Sequence, residues 1–145
     1  MSSTATTEAG GTVQNLTSFK PRVTHVAYHV ADIDRALAFY VGVLGLQEQL
    51  RLPLGGGLQE VILGFPGNPG AGVILMWHGE KKAPRQLGDG YSRFVLNVSD
   101  VEGALQLLAK HDTPVVTPLT AVGNFKFAMV KDPDGYIVEL LQLVK

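Results

Sequence analysis

A short pattern occurs twice in this chain, first as Thr24-His25-Val26-Ala27-Tyr28-His29-Val30-Ala31-Asp32. It returns as Ser92-Arg93-Phe94-Val95-Leu96-Asn97-Val98-Ser99-Asp100, with His25 and Arg93, like Asp32 and Asp100, 68 positions apart. Each copy alternates apolar and polar residues, reaches an aspartate, and then changes to helical periodicity. Self-similarity at a fixed period marks one supersecondary unit used twice. The repeat therefore constrains the fold before any other feature does.

Within the first copy, Val23 to Val30 reads as a strand with Val23, His25, Ala27 and His29 on one face. Asp32 suits a helix N-cap, and Ile33, Ala36, Leu37, Tyr40 and Val41 follow at helical spacing up to the stop at Gly42 and Gly45. Three strand-like runs come next: Gln47–Leu52, Leu58–Phe65 and Val73–His78. The second copy opens with Tyr91, Arg93, Val95 and Asn97 on one face. Ser99 and Glu102 fit a capping box, and Val101, Ala104, Leu105 and Leu108 form the apolar stripe behind it. Val115–Val116, Phe125–Val130 and Tyr136–Leu141 supply its strands, the last after an Asp132-Pro-Asp-Gly turn.

The expected fold is α+β: two tandem βαβββ modules forming a cupped, partly open, barrel-like pocket. The expected boundaries are a disordered tail 1–18, a first module 19–82, a linker 83–90 and a second module 91–145. A helix covers one face of a four-stranded sheet and leaves the other open. Each helix needs an apolar partner, so Val26, Tyr28, Val30, Phe94, Leu96 and Val98 should lie beneath the helices. His25, His29, Tyr91, Arg93 and Asn97 then remain for the concave side, joined by Ile137, Glu139 and Leu141. Open faces need cover, which a homodimer would provide.

Composition narrows the function. With a net charge of −1 the chain carries no footprint for nucleic acid or an anionic membrane. It has no cysteine, so disulfides, thiolate nucleophiles and Cys-ligated metals are excluded. No run is apolar and long enough to span a bilayer, and the first residues lack the pattern of a signal peptide. A cytoplasmic protein is the expectation. The Gly55–Gly57 run precedes no helix N-terminus and does not read as a phosphate cradle.

Three segments resemble the vicinal oxygen chelate superfamily, which includes glyoxalases, extradiol dioxygenases and bleomycin resistance proteins. They are His25-Val-Ala-Tyr-His-Val-Ala-Asp with Ala38-Phe-Tyr and Leu44-Gly-Leu, then Phe94 to Asp100, then Asp132-Pro-Asp-Gly-Tyr-Ile-Val-Glu-Leu140. The resemblance implies a metal site at His25, about Leu75, Arg93 and Glu139. Only His25 and Glu139 can ligate a divalent ion. Leu75 has no donor atom, and a guanidinium stays protonated and offers no lone pair. A guanidinium ~4 Å from a divalent ion also costs several kcal/mol. The expectation is therefore no cofactor, or a weakly held divalent metal, with Arg93 taking over the ion's electrostatic role.

The candidate catalytic residues are His25, Arg93 and Glu139. Candidate substrate contacts are His29, Tyr91, Asn97, Leu75, Trp77 and Phe127. At His29 the resemblance implies an arginine in glyoxalases that holds the substrate's carboxylate. Phe125 and Met129 read as wall or core, and His78 and His111 as loop or solvent-facing residues. The leading reading is a glyoxalase-like isomerase or lyase acting on a small oxygenated molecule by proton transfer next to a carbonyl. One alternative is a metal-free binding protein that sequesters an aromatic or cationic compound. Another is a metal-dependent glyoxalase or dioxygenase using His29 or Glu60 as a ligand.

Overall fold

The computed structural model describes residues 15–144, together with the backbone of a short antiparallel pair, Thr7–Glu8 and Gly11–Thr12. The expected tail 1–18 falls mostly outside those residues, and Leu16–Phe19 forms one 3-10 turn. Beyond it come β1 (His25–His29), α1 (Ile33–Tyr40), β2 (Gln47–Gly55), β3 (Leu58–Gly64) and β4 (Gly72–Trp77). The second module repeats the order: β5 (Phe94–Asn97), α2 (Val101–Lys110), β6 (Val115–Val122), β7 (Phe125–Lys131) and β8 (Ile137–Leu143).

Each module forms its own sheet, ordered β1-β4-β3-β2 and β5-β8-β7-β6. The first strand pairs in parallel with the last, and the remaining pairs are antiparallel. The sheets do not close into a barrel. β1 and β5 are both edge strands, with one side of each ladder unpaired within its own sheet.

Local chemistry sets the helix starts. Asp32 accepts from the backbone N–H of Asp34 and Arg35, as its position suggested. In the second module the cap is Asp100 rather than Ser99: its carboxylate accepts from Gly103 N at 3.0 Å. Gly103 makes room for that contact, since a Cβ there would meet the Asp100 carboxylate oxygen at 2.5 Å. Aspartate is the stronger acceptor, and it also suits the positive end of the helix dipole.

The alternation expected along the strands holds on the helix side. Tyr28, Val30, Val73, Leu75, Val61 and Leu63 are buried in the first module. Val138, Leu140, Val130 and Ala128 are buried with Val101 and Leu108 in the second. Burying each large apolar side chain contributes about 1.5–3 kcal/mol. Val26, on the β1 edge strand, departs from the pattern at 40% exposure.

The two modules meet through these helix-side layers. Tyr28 packs on Tyr136 with ring centroids 4.6 Å apart, and on Phe94 at 6.3 Å. Tyr28 OH donates to Tyr40 OH, and Tyr40 OH donates to Asp132 Oδ2 at 2.6 Å. Asp134 accepts from Ala31 N at 2.9 Å, and Tyr136 OH donates to the His29 carbonyl at 2.7 Å. The Asp132-Pro-Asp-Gly turn thus docks the second module onto the β1–α1 corner of the first. Gly135, at φ +93°, allows the tight return that aims both carboxylates there.

Candidate functional site

The second module supplies one charged cluster. Arg93 immediately precedes β5, and Glu139 sits in β8 opposite Val95. Arg93 Nε donates to Glu139 Oε1 at 2.5 Å, and Nη1 donates to Ser92 Oγ at 3.0 Å. Glu139 is only 6% exposed, whereas the arginine side chain is 39% exposed. A carboxylate this buried needs a counter-charge, and Arg93 is that counter-charge. Around the pair lies a cavity of about 260 Å3, walled by Val122, Phe125, Phe127, Met129 and Leu141. Every lining residue comes from the second module.

The first module supplies the histidines. His25 pairs with Gly72 and His29 with Met76, so both imidazoles share a face with Ile74, Met76, Glu60 and Ile62. His25 Nε2 is buried without a hydrogen-bond partner. Gly72 is required beside it, since a Cβ at that position would fall 1.9 Å from the Leu63 carbonyl oxygen. His29 stacks parallel to His78, with centroids 5.7 Å apart. Its imidazole is held below the ordinary histidine range by burial, then by Arg85 and His78.

The structure separates several residues that parity and resemblance had grouped. Leu75 is fully buried against the helix, and Trp77 shares that parity, packing on the first core while its indole N–H donates to the Glu80 carbonyl. Ile74, not Leu75, is the counterpart of Glu139: it pairs with Ala27 as Glu139 pairs with Val95. Strand register decided this, and a gap in the apparent repeat hid it. Tyr91 turns toward the module junction, donating to the Ile137 carbonyl at 3.1 Å and meeting Tyr136 edge-on. Burial, followed by the charge of Asp132, pushes its phenol up to about 12.

Asn97 lines a separate groove of about 570 Å3 between α2, the β5 edge and the Val43–Leu44 turn, although its register partner Leu141 walls the Arg93 cavity. Phe127 does line the Arg93 cavity. His29 stays on the His25 face, and Glu60 is level with His29 but two strands away, roughly 10 Å across. His25 lines no part of the cavity around Arg93 and Glu139. The strand pattern gave no sign of the Tyr28–Tyr40–Asp132 chain, which depends on contacts between modules.

The donor set does not fit a divalent metal. Of the four corresponding positions, two are Ile74 and Arg93, and the guanidinium already occupies Glu139. Among the described residues no group of three or more His, Cys, Asp or Glu converges. Metal ligation needs deprotonated donors, and Arg93 replaces one with a fixed positive charge.

Comparison with known proteins bears on this geometry. The model of the Glyoxalase/Bleomycin resistance protein/Dioxygenase superfamily matches residues 22–140. The chain belongs to that superfamily. A probable lactoylglutathione lyase of Vibrio parahaemolyticus is 28% identical over 126 residues, covering 83% of this chain and 90% of its own. A lactoylglutathione lyase of Arabidopsis thaliana is 28% identical over 124 residues, covering 83% of this chain but 44% of its own. The chain thus spans less than half of the plant relatives it matches. The solved trypanothione-dependent glyoxalase I of Leishmania major superposes with a TM-score of 0.72 at 28% identity, covering 84% of this chain and 86% of that one.

Proposed function

We propose that this protein is a glyoxalase-like enzyme that moves a proton next to a carbonyl in a small oxygenated substrate, without a resident metal. The observation that carries the reading is the ion pair of a half-exposed Arg93 with a buried Glu139 at the wall of an apolar cavity. The kinship with lactoylglutathione lyases supports a lyase or isomerase of this kind. Arg93 keeps Nη2 beyond its bonds to Glu139 and Ser92, which suits it to an anionic oxygen.

The proposed working unit is a homodimer. Within one chain the modules meet by their helix-side layers, so His25 lies outside the cavity that Arg93 and Glu139 line. A second copy would set the His25 face of one protomer against the Arg93 face of the other. His25 Nε2 would then take the proton from the carbon beside the carbonyl, and the electron pair would move onto the carbonyl oxygen. Arg93 would hold that oxyanion; in an α-hydroxy carbonyl such as a hemithioacetal, the proton would then return to the former carbonyl carbon while the hydroxyl on the first carbon gives its proton to the oxyanion and becomes the new carbonyl. Glu139 positions the guanidinium.

The test is hydrogen–deuterium exchange next to the carbonyl. Purified protein is incubated in D2O with 2-oxoaldehyde hemithioacetals, glutathione adducts included, and with other enolisable carbonyl compounds, and followed by NMR. The expected result is catalysed exchange with at least one substrate, lost in His25→Ala and in Arg93→Ala. Ligand affinity without exchange would overturn the enzyme reading in favour of a sequestering protein.

A further inference from the structure

We infer that the substrate is an uncharged hydroxy-carbonyl compound with an apolar tail, aryl or branched alkyl, and that conjugates carrying free carboxylates are excluded. This rests on the proton-transfer reading above and names the substrate class for it. Apart from Arg93 and Glu139, the cavity is lined by Val122, Phe125, Phe127, Met129 and Leu141, none with an N–H or O–H group on its side chain. Register explains why. Glu139 pairs with Met129 and Leu141 with Phe127, so these four share the open face of the second sheet. Val122 and Phe125, also paired, continue that face to the end of the hairpin. They are 60% and 45% exposed. An apolar group entering beside the ion pair would take that surface out of water.

The charge inventory opposes a carboxylate tail. Arg93 is paired with Glu139, so together they present no net charge to an incoming ligand. Lys126 alternates to the other face and reaches Glu102 on α2. Lys131 ends β7, is exposed, and lines a different cleft with His111 and Asp132. The face of the first module that a second copy would bring opposite carries Glu60, Ile62, Ile74 and Met76 beside His25 and His29. Leu50 and Leu52 extend it onto β2, where Arg51 has the opposite parity and bonds Glu48. The fixed charge on those strand positions is thus Glu60, which is negative. His29 adds no cation at neutral pH, because burial, Arg85 and His78 all oppose its protonation. Arg85 itself belongs to the connecting stretch, beside Val30 and Ala31 past the end of β1. A tail with free carboxylates would be desolvated against these walls without a counter-charge. The oxyanion formed in the reaction differs, because it develops at Arg93.

The test holds the reacting carbons constant and changes the tail. Purified protein in D2O receives 2-oxopropanal with either benzyl mercaptan or glutathione, and exchange is followed by NMR per mole of adduct. The benzyl adduct should exchange at least about tenfold faster, the scale of one charged group left unpaired on burial. Two non-reacting analogues, benzyl methyl sulfide and S-methylglutathione, are titrated in parallel by calorimetry. That arm reads the tail preference without turnover, so a failure of exchange with both adducts would defeat the proton-transfer reading while the titration still decides the substrate class. Phe125→Lys, at an exposed position, adds a cation to the wall and should narrow the gap in both arms. A glutathione adduct that exchanges as fast as the benzyl adduct would overturn the inference. So would S-methylglutathione binding as tightly as benzyl methyl sulfide, no binding of either, or a gap that Phe125→Lys leaves unmoved.

Discussion

The guanidinium of Arg93 and the carboxylate of Glu139 meet at 2.5 Å, although 46 residues separate them in the chain. One partner is half exposed and the other almost wholly buried. The pair therefore lies between the surface case, worth up to about 1 kcal/mol, and the buried case, where removing one partner costs about 3–5 kcal/mol. Arg93→Met should lower unfolding free energy by about 1–3 kcal/mol, because it strands the carboxylate. Glu139→Gln should cost less, since the cation it frees can reach water. Adding Glu139→Gln to Arg93→Met should recover much of the loss, as urea denaturation of the double-mutant cycle would reveal. Strictly additive losses would mean that the two groups do not depend on each other.

A pocket shared between protomers makes a prediction that a single-chain pocket does not. His25→Ala and Arg93→Ala chains, each inactive alone, are unfolded together and refolded in equal amounts. Half the dimers should be mixed, and each mixed dimer should hold one site with both residues intact. Activity near a quarter of the wild-type value is the expected outcome, measured by the same exchange assay with dimer formation checked by light scattering. No recovery from a mixture shown to contain mixed dimers would place both residues in one chain's site.

Much of this arrangement is written in the 68-residue repeat. Alternation along β1 and β5 put Tyr28 and Phe94 under the helices and His25 and Arg93 on the open side, because side-chain direction reverses at every residue. Register between strands was not legible in the same way. Whether Ile74 or Leu75 faces the open side depends on how β4 slides against β1, and a one-residue slip inverts a face. The module junction was hidden for a different reason. Tyr91 lies in the run that alternation extended into β5, but the strand begins at Phe94, and Tyr91 packs in the aromatic cluster with Tyr28 and Tyr136. Contacts that join distant segments leave no periodic trace.

Asp132 lies at that junction, and its titration gives stability a pH dependence. Burial holds its carboxyl above the ordinary range, while the hydrogen bonds from Tyr40, Tyr136 and Asp134 pull the other way. A carboxyl raised in the folded state binds its proton more readily there than in the unfolded chain. Its contribution to stability thus improves as pH falls through the raised value toward the ordinary carboxylate range. Relative to Asp132→Asn, the wild type should gain stability across that window and change little above it. Tyr40→Phe, which removes the donor to Oδ2, should cost about 1–3 kcal/mol at neutral pH. Chemical denaturation at a series of pH values checks both, and parallel profiles for wild type and Asp132→Asn would contradict the first.

The two missing donors can be put back. Ile74→Glu supplies a carboxylate at the register position that matches Glu139, and Arg93→His replaces the cation with a neutral imidazole. With His25 and Glu139 these complete two imidazoles and two carboxylates, if the two sheet faces are brought together by a second copy. Purified wild-type chain should hold well under one divalent ion per protomer and gain no exchange activity from added zinc or nickel. The double variant should bind close to one ion per protomer in calorimetric titration, with the ion stabilising the dimer against dilution. Leu75→Glu with Arg93→His is the control, because residue 75 faces the core: that variant should lose stability and gain no metal. A wild-type chain that purifies with tightly held stoichiometric metal would defeat the claim that Arg93 stands in for the ion, whatever the variants do.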